Sequence, residues 1–200
     1  QVKVGSASKR WQSAFELAKV LNNPDSDPLT ESFKGQLRSA YEKSIHDDPL
    51  VRSYLAMAMG ATKDTTFGEI LVSGLEDHNL ETRLAAIQAL GLIKYFPATK
   101  SIRDIINKTD RPTEKLTATI ALGMIGDPST IPHLKKLLDD EEANIRWDAA
   151  IALAKMGDNS GAYIIEGLLD RGYLKQFKQI DPIEEKKVLM IAIRTASILF

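Results

Sequence analysis

Few residues of this chain are of the types that carry out acid–base, nucleophilic or metal chemistry, and those few are scattered. The chain has no Cys, which excludes a thiol nucleophile, a disulfide and a Cys-ligated metal. Its three histidines, His46, His78 and His133, are far apart, whereas a metal centre needs several converging ligands. The acidic run at residues 139–142 is typical of favourable charge near a helix N-terminus. The sequence therefore predicts no catalytic residue, no metal site and no cofactor, and we expect a protein that is not an enzyme.

The overall composition excludes several other classes. Apolar residues make up 44% of the 200 residues, which is too many for a disordered chain. Lys plus Arg number 26 against 27 Asp plus Glu, so the chain lacks the basic excess of a nucleic-acid binder. No apolar run reaches the roughly 18 residues of a membrane span, so we expect no membrane insertion. Because the chain begins at Gln1, we expect an upstream segment to have been removed; a cytoplasmic location is favoured, with a periplasmic or secreted one left open.

An internal repeat organises the chain. Four basic residues recur 31, 32 and 31 positions apart, and each opens an Ala-rich apolar stretch. They are Arg52, Arg83, Lys115 and Arg146. An alanine follows six positions after each: Ala58, Ala89, Ala121 and Ala152. We expect the three arginines to pair with turn carboxylates of their own repeats, such as Asp77 or Asp140.

A second amphipathic stretch follows each of these runs, so the repeat unit is a pair of helices. Residues 131–138 show the apolar spacing of one helix face, and no segment alternates with the period of a strand. Asp-Pro pairs mark expected helix starts at 27–28, 48–49, 127–128 and 181–182. We predict an all-α chain, a single solenoid over 1–200, in which stacked pairs share one core. It consists of a leading helix at 8–22 and five helix pairs at 30–60, 64–93, 97–125, 128–156 and 160–199.

These segments resemble HEAT repeats, particularly the short bacterial kind named after phycobilisome-lyase subunits. The pattern Val-Arg-x-x-Ala-Ala-x-Ala-Leu-Gly-x-Ile-Gly is matched well at 82–93, 114–126 and 145–157, and poorly at 186–194. The resemblance implies a right-handed, armadillo-like superhelix of helix pairs. Some proteins of this type are di-iron hydroxylases with repeated His-Glu pairs, but no histidine here is followed by Glu.

In such proteins the second helix of each pair lines a concave surface, and its variable positions carry recognition. Carried over to this chain, those positions predict a partner-binding surface. Its residues are Tyr54, Met57, Leu84, Gln88, Leu92, Leu116, Ile120, Met124, Trp147, Asp148, Ile151 and Lys155. Most of them are apolar, and an exposed apolar strip marks an interaction site. Two alternatives stay open, since the strip could instead thicken the core or be covered by residues 1–30.

The sequence therefore predicts a non-enzymatic scaffold or adaptor that binds a protein or peptide segment on this strip. A lyase-type protein that handles a linear tetrapyrrole or another flat ligand in the same groove is the alternative from another class. A third alternative is a part of a larger chain whose strip packs intramolecularly. Self-association is compatible with the first and third.

Overall fold

A computed structural model describes residues 7–23, 29–177 and 180–199, and over these ranges the protein contains twelve α-helices and no strand. The predicted all-α class is confirmed. The helices are α1 Ala7–Leu21, α2 Glu31–Lys43, α3 Pro49–Ala61, α4 Gly68–Ser73, α5 Leu80–Leu92, α6 Thr99–Lys108, α7 Pro112–Ile125, α8 Ile131–Lys136, α9 Ala143–Lys155, α10 Ala162–Leu169, α11 Arg171–Leu174 and α12 Pro182–Leu199. The chain forms two compact units, Gln1–Ile125 (unit 1) and Gly126–Phe200 (unit 2). A single solenoid over 1–200 stays a prediction.

Aspartates begin three of the helical segments as the Asp-Pro pairs predicted. The carboxylate of Asp48 accepts the backbone N–H two residues later over 2.9 Å at the start of α3. Asp127 does the same over 2.9 Å before the 3₁₀ turn that leads into α8. Asp181 accepts two N–H groups at the start of α12, both over 2.8 Å. Each bond satisfies a donor that has no partner within the helix. The pair at 27–28 lies outside the described residues.

In unit 1, α1, α3, α5 and α7 pack side by side in that order, with α2, α4 and α6 against α3, α5 and α7. The small residues of the repeat allow this close packing. A Cβ at Gly60 would lie 2.8 Å from the Cα of Ala89, and one at Gly91 would lie 3.0 Å from the Cα of Ala121. The recurring Gly and Ala columns are therefore the contact positions between successive inner helices.

The repeated arginines connect one repeat of unit 1 to the next. Arg52 donates to the backbone carbonyl of Tyr41 over 2.8 Å, and its Nε lies 3.0 Å from a carboxylate oxygen of Asp77. Arg83 donates through Nε to Glu114 over 2.6 Å. The expectation that these arginines pair within their own repeats is wrong, because Asp77 and Glu114 belong to the following repeat. An arginine is long enough to span the roughly 8–10 Å between packed helix axes.

In unit 2, α9 is the central helix and packs against α8, α10 and α12. A Cβ at Gly161 would lie 2.8 Å from the Cα of Ala150, so this contact also depends on small residues. Arg146 donates to the backbone carbonyls of Asp140 and Glu141 over 2.6 and 2.9 Å. Arg146 therefore stabilises the turn of its own repeat through backbone carbonyl oxygens, as Arg83 also does at Asp77 and His78. The expected pairing of Arg146 with a turn carboxylate stays a prediction.

Candidate interaction surface

Three neighbouring helices of unit 1, α3, α5 and α7, carry eight of the twelve predicted recognition residues. The residues occupy equivalent repeat positions on helices that pack side by side, so they lie on the same side of the row. We call this surface the inner-helix face, and it consists of Tyr54, Met57, Leu84, Gln88, Leu92, Leu116, Ile120 and Met124.

The inner-helix face is apolar and partly open to solvent. Ile120 is 40% exposed and Gln88 is exposed, whereas the other six side chains are half-buried. None of the eight is Asp, Glu, His, Lys or Arg, and Gln88 supplies the one side-chain amide. Such a surface can bury a partner's apolar side chains without removing a charge from water, which would be costly.

One end of the inner-helix face is covered by α1. The ring of Trp11 stacks near that of Tyr54, with centroids 6.1 Å apart, and Phe15 meets Tyr54 edge-on at 5.2 Å. Arg10 fastens α1 through a 2.7 Å ion pair with Asp47. The alternative in which the N-terminal segment covers the strip is therefore correct for Tyr54. Phe15 itself stays 38% exposed and extends the apolar surface onto α1.

Trp147 in unit 2 does not lie on an exposed surface as predicted: it is buried, with 6% of its area exposed. The ring of Phe177 meets the indole of Trp147 edge-on, with centroids 4.9 Å apart. The indole N–H of Trp147 donates to the hydroxyl of Tyr173 over 3.5 Å. The segment after α10 therefore covers this side chain. Burial of this large ring is favourable because it removes a large apolar area from water and adds contacts with other aromatic rings.

The other three predicted residues of unit 2 differ in exposure. Lys155 is exposed, whereas Ile151 and Asp148 are half-buried. Burial raises the pKa of the Asp148 carboxyl to about 6, against the opposing influence of Lys155. Asp148 is thus a desolvated acid that could accept a hydrogen bond from a partner. Whether these residues bind a partner stays a prediction.

Over the part of the chain that the structure describes, no three His, Asp or Glu side chains converge as a metal site would require. His46 and His78 are exposed and His133 is half-buried. Within the same ranges, no helix is both long and apolar enough to cross a membrane.

The family is decided by a comparison with protein-family models. The model described as HEAT repeats matches residues 36–114 and 99–176, which together cover more than half of the chain. The chain belongs to the HEAT repeat family. This confirms the resemblance found in the sequence. The HEAT helix pairs also account for the order of α2 to α7 in unit 1, where outer and inner helices alternate.

Known relatives of this HEAT chain include one curated enzyme. The epoxyqueuosine reductase of Bacillus subtilis (strain 168) is 34% identical over 110 residues, which is 54% of this chain and 28% of that protein. The chain thus matches little more than a quarter of the length of this relative.

Two solved structures share the fold. One is from the complex of CpcE and CpcF of phycocyanin lyase from Nostoc sp. PCC7120, with a TM-score of 0.70 and 19% identity, covering 98% of this chain and 84% of that one. The other is an engineered protein with a TM-score of 0.60 and 18% identity, covering 100% of this chain and 96% of that one. At these identities the likeness establishes the fold alone.

Two aromatic pairs outside the aligned positions of the four repeat copies were missed by the sequence prediction, although both have a recognisable spacing. Trp11 and Phe15 cover Tyr54, and Tyr173 and Phe177 cover Trp147. The members of each pair are four positions apart. In α1 this spacing places Trp11 and Phe15 on one face of the helix, whereas Phe177 follows the end of α11 at Leu174. An aromatic i, i+4 pair on a helix that precedes the repeat, such as Trp11 and Phe15, is therefore a signal for a segment that packs onto the repeat.

Proposed function

We propose that this HEAT repeat protein is a non-enzymatic interaction scaffold whose inner-helix face binds the apolar side of a helix or an extended segment of a partner protein. The observation that carries the proposal is the 40% exposure of Ile120 within a surface that has no Asp, Glu, His, Lys or Arg side chain. Exposed isoleucine on an otherwise apolar patch gains free energy when a partner removes it from water.

The side-chain types of the face support a protein ligand. Met57 and Met124 are unbranched and polarisable, so they can adjust to a partner's irregular surface. The amide of Gln88 can form hydrogen bonds that fix a partner's register, since it is exposed between apolar neighbours. The aromatic cluster of Phe15 and Tyr54 bounds one end of the face, and such rings are favoured at binding hot spots.

A second candidate function is the handling of a flat apolar ligand such as a linear tetrapyrrole. It is favoured by the likeness to a chain of the CpcE–CpcF complex of phycocyanin lyase over 98% of this chain. The rings of Trp11, Phe15 and Tyr54 offer a stacking surface for such a ligand. Titration with phycocyanobilin distinguishes the two functions. If the protein binds a tetrapyrrole, the absorbance spectrum of phycocyanobilin shifts on mixing, and if the face binds only protein segments, the spectrum stays that of free phycocyanobilin.

Site-specific photocrosslinking tests the scaffold proposal. A benzoylphenylalanine is placed at Ile120, and in a matched control at Phe96, which is 53% exposed and lies outside the inner-helix face. Both proteins are irradiated in lysate of the source cells, and the adducts are identified by mass spectrometry. The crosslinked partner is then purified and its affinity measured for wild type, Ile120→Asp and Phe96→Asp.

The expected result is a partner that crosslinks at Ile120 and not at Phe96, with affinity reduced by about tenfold or more in Ile120→Asp and unchanged in Phe96→Asp. Circular dichroism checks that both variants are folded. Equal crosslinking at the two positions, or full affinity in a folded Ile120→Asp, contradicts the proposal.

A further inference from the structure

A shallow cavity of about 550 Å³, wide open to solvent, lies in unit 1 where α6 turns into α7. Its volume falls in the range of roughly 300–1,000 Å³ typical of small-molecule sites. Leu75, which is buried, and Ile105, which is half-buried, form its apolar part. Lys108 and the connecting residues 109–111 form much of its remaining wall. We call this space the α6–α7 cavity.

One carboxylate in the wall, that of Glu114, is already paired with a cation. Glu114 accepts a hydrogen bond from Nε of Arg83 over 2.6 Å and another from the hydroxyl of Thr109 over 2.6 Å. A second guanidinium nitrogen of Arg83 donates to the backbone carbonyl of Asp77 over 2.9 Å. The charges of Glu114 and Arg83 therefore compensate each other, and the net charge of the cavity wall is set by the other groups.

Those other groups have a cationic excess. Lys108 and Arg111 line the cavity together with Asp110, and all three are exposed. Neither Lys108 nor Arg111 forms an ion pair with a carboxylate among the residues that the structure describes, although Arg111 is close enough to Glu114 to help lower the pKa of that carboxyl. The lining as a whole has three cationic side chains against two carboxylates. The N-terminus of α7, which begins at Pro112, adds the positive end of a helix dipole nearby.

From this arrangement we infer that the α6–α7 cavity binds an organic anion, a carboxylate or phosphate carried on an apolar body. Lys108 and Arg111 hold the anionic group, and the apolar body packs against Leu75 and Ile105. The guanidinium of Arg111 can bind two oxygens at once, while the ammonium of Lys108 acts as a flexible point charge. This site is distinct from the inner-helix face, so it can be tested separately from the proposed scaffold function.

The test is a titration of the full chain with 1-naphthyl phosphate, followed by nitrogen-15 NMR of the backbone amides. We expect the largest shifts at Ile105 and residues 108–111. The variant Lys108→Met/Arg111→Met keeps most of each apolar stem and is expected to weaken binding by about tenfold. The matched control Lys100→Met/Arg103→Met removes two cations from the same helix, outside the cavity lining, and is expected to stay within about twofold of wild type.

Two further probes separate the sources of such an anion. Tighter binding of 1-naphthyl phosphate than of the peptide acetyl-Ala-Asp-Phe-Ala-amide supports a small-molecule ligand, and the reverse order supports an acidic segment of a protein. Either order supports an anion site if the Lys108→Met/Arg111→Met variant loses the binding. The inference is overturned if neutral 1-naphthalenemethanol binds as tightly as the phosphate, if the double variant binds as wild type does, or if neither anionic probe shifts the cavity amides.

Discussion

Arg83 on α5 and Glu114 at the start of α7 form a charge-assisted hydrogen bond of 2.6 Å between successive repeats. Their side chains are 20% and 6% exposed, so water screens the pair only in part. Burial opposes ionisation of Glu114, but the hydrogen bonds from Arg83 and Thr109 outweigh it and hold the pKa of this carboxyl below its ordinary value of 4.5. The pair thus depends on the ionised form of Glu114.

The first prediction is that Glu114→Gln destabilises the protein by about 2 kcal/mol at neutral pH, because Arg83 loses its charged partner. Since the pKa of Glu114 is lower in the folded than in the unfolded chain, its contribution is present above pH 4.5 and is lost as the pH falls below that value. Urea unfolding at a series of pH values should show the difference between variant and wild type narrowing in acid.

Glu31→Gln is the matched control for this prediction. Glu31 pairs with Lys34 over 2.8 Å, but its side chain is 80% exposed. We expect a change of no more than about 0.5 kcal/mol, because solvent screens an exposed pair. If Glu31→Gln lowers the free energy of unfolding as much as Glu114→Gln does, burial is not the reason why the Arg83–Glu114 pair stabilises the protein.

The second prediction concerns the small residues between inner helices. Gly91→Ala places a Cβ 3.0 Å from the Cα of Ala121, which is backbone and cannot move aside cheaply. We expect a loss of roughly 1–3 kcal/mol in the free energy of unfolding. Gly35→Ala in α2 has no atom within 4 Å of the new Cβ and should instead gain about 0.5–1 kcal/mol from helix propensity. Thermal unfolding of the two variants should therefore shift in opposite directions.

The third prediction is that Tyr173 and Phe177, which cover Trp147, keep this side chain in the core of unit 2. In a Trp11→Phe background, Trp147 is the remaining tryptophan, and Phe177→Ala removes the ring that meets it at 4.9 Å. We expect its fluorescence maximum to shift to longer wavelength and the protein to lose about 3 kcal/mol of stability. Tyr163→Ala, at a position 58% exposed, should change neither quantity. If the fluorescence maximum is the same with and without Phe177→Ala, the ring of Phe177 does not shield Trp147 from water, and the prediction is wrong.

The fourth prediction is a pH dependence that originates at Asp148. Burial raises the pKa of this carboxyl to about 6 from an ordinary 3.8, so the folded chain binds its proton more tightly than the unfolded chain. The stability it contributes is full below 3.8 and is lost as the pH rises through about 6. Asp148→Asn should therefore be more stable than wild type by about 1–3 kcal/mol at pH 7.5, and the gap should close on acidification.

Asp158→Asn gives the opposite sign within the same unit. A hydrogen bond from Lys135, with further bonds from Ser160, lowers the pKa of Asp158 to about 2 from an ordinary 3.8. Its stabilising contribution is present above 3.8 and is lost as the pH falls toward 2. The variant should therefore be less stable than wild type at neutral pH. Urea midpoints at pH 2.5, 5 and 7.5 distinguish the two aspartates. The gain of Asp148→Asn should narrow between pH 7.5 and 5, whereas the deficit of Asp158→Asn should stay constant over that range and narrow only at pH 2.5. An Asp148→Asn gain that does not change, or an Asp158→Asn deficit that is as large at pH 2.5 as at pH 5, contradicts the respective assignment.

The repeat was readable from the sequence because its physical causes are local. Gly60 and Gly91 recur where inner helices approach each other closely, and Arg52 and Arg83 recur where one repeat contacts the next. A periodic sequence reports such constraints directly, since each copy meets the same neighbour. The direction of the arginine pairing was not readable, because Asp77 is close in sequence to Arg83, six positions later, and yet its carboxylate lies 3.0 Å from Nε of the more distant Arg52.

The candidate surface was predictable in part. The positions of Leu84, Leu116 and Ile120 followed from the repeat, and the structure leaves Ile120 40% exposed. Whether a given position is covered depends on segments that lie outside the repeat. Trp11 precedes the first copy and Phe177 follows the fourth, so no column of the repeat contains either of them.

The sequence by itself determined the helical class, the repeat length and which residue types face a neighbouring helix, because these depend on spacing along the chain. Only the tertiary structure decided that Tyr54 packs under α1, that Trp147 is buried beneath Phe177, and that Asp148 is desolvated. These outcomes depend on contacts between residues distant in sequence, and burial is a property of the whole packing around a side chain. The free energy of a side chain therefore depends on which segment covers it, and local pattern does not contain that information.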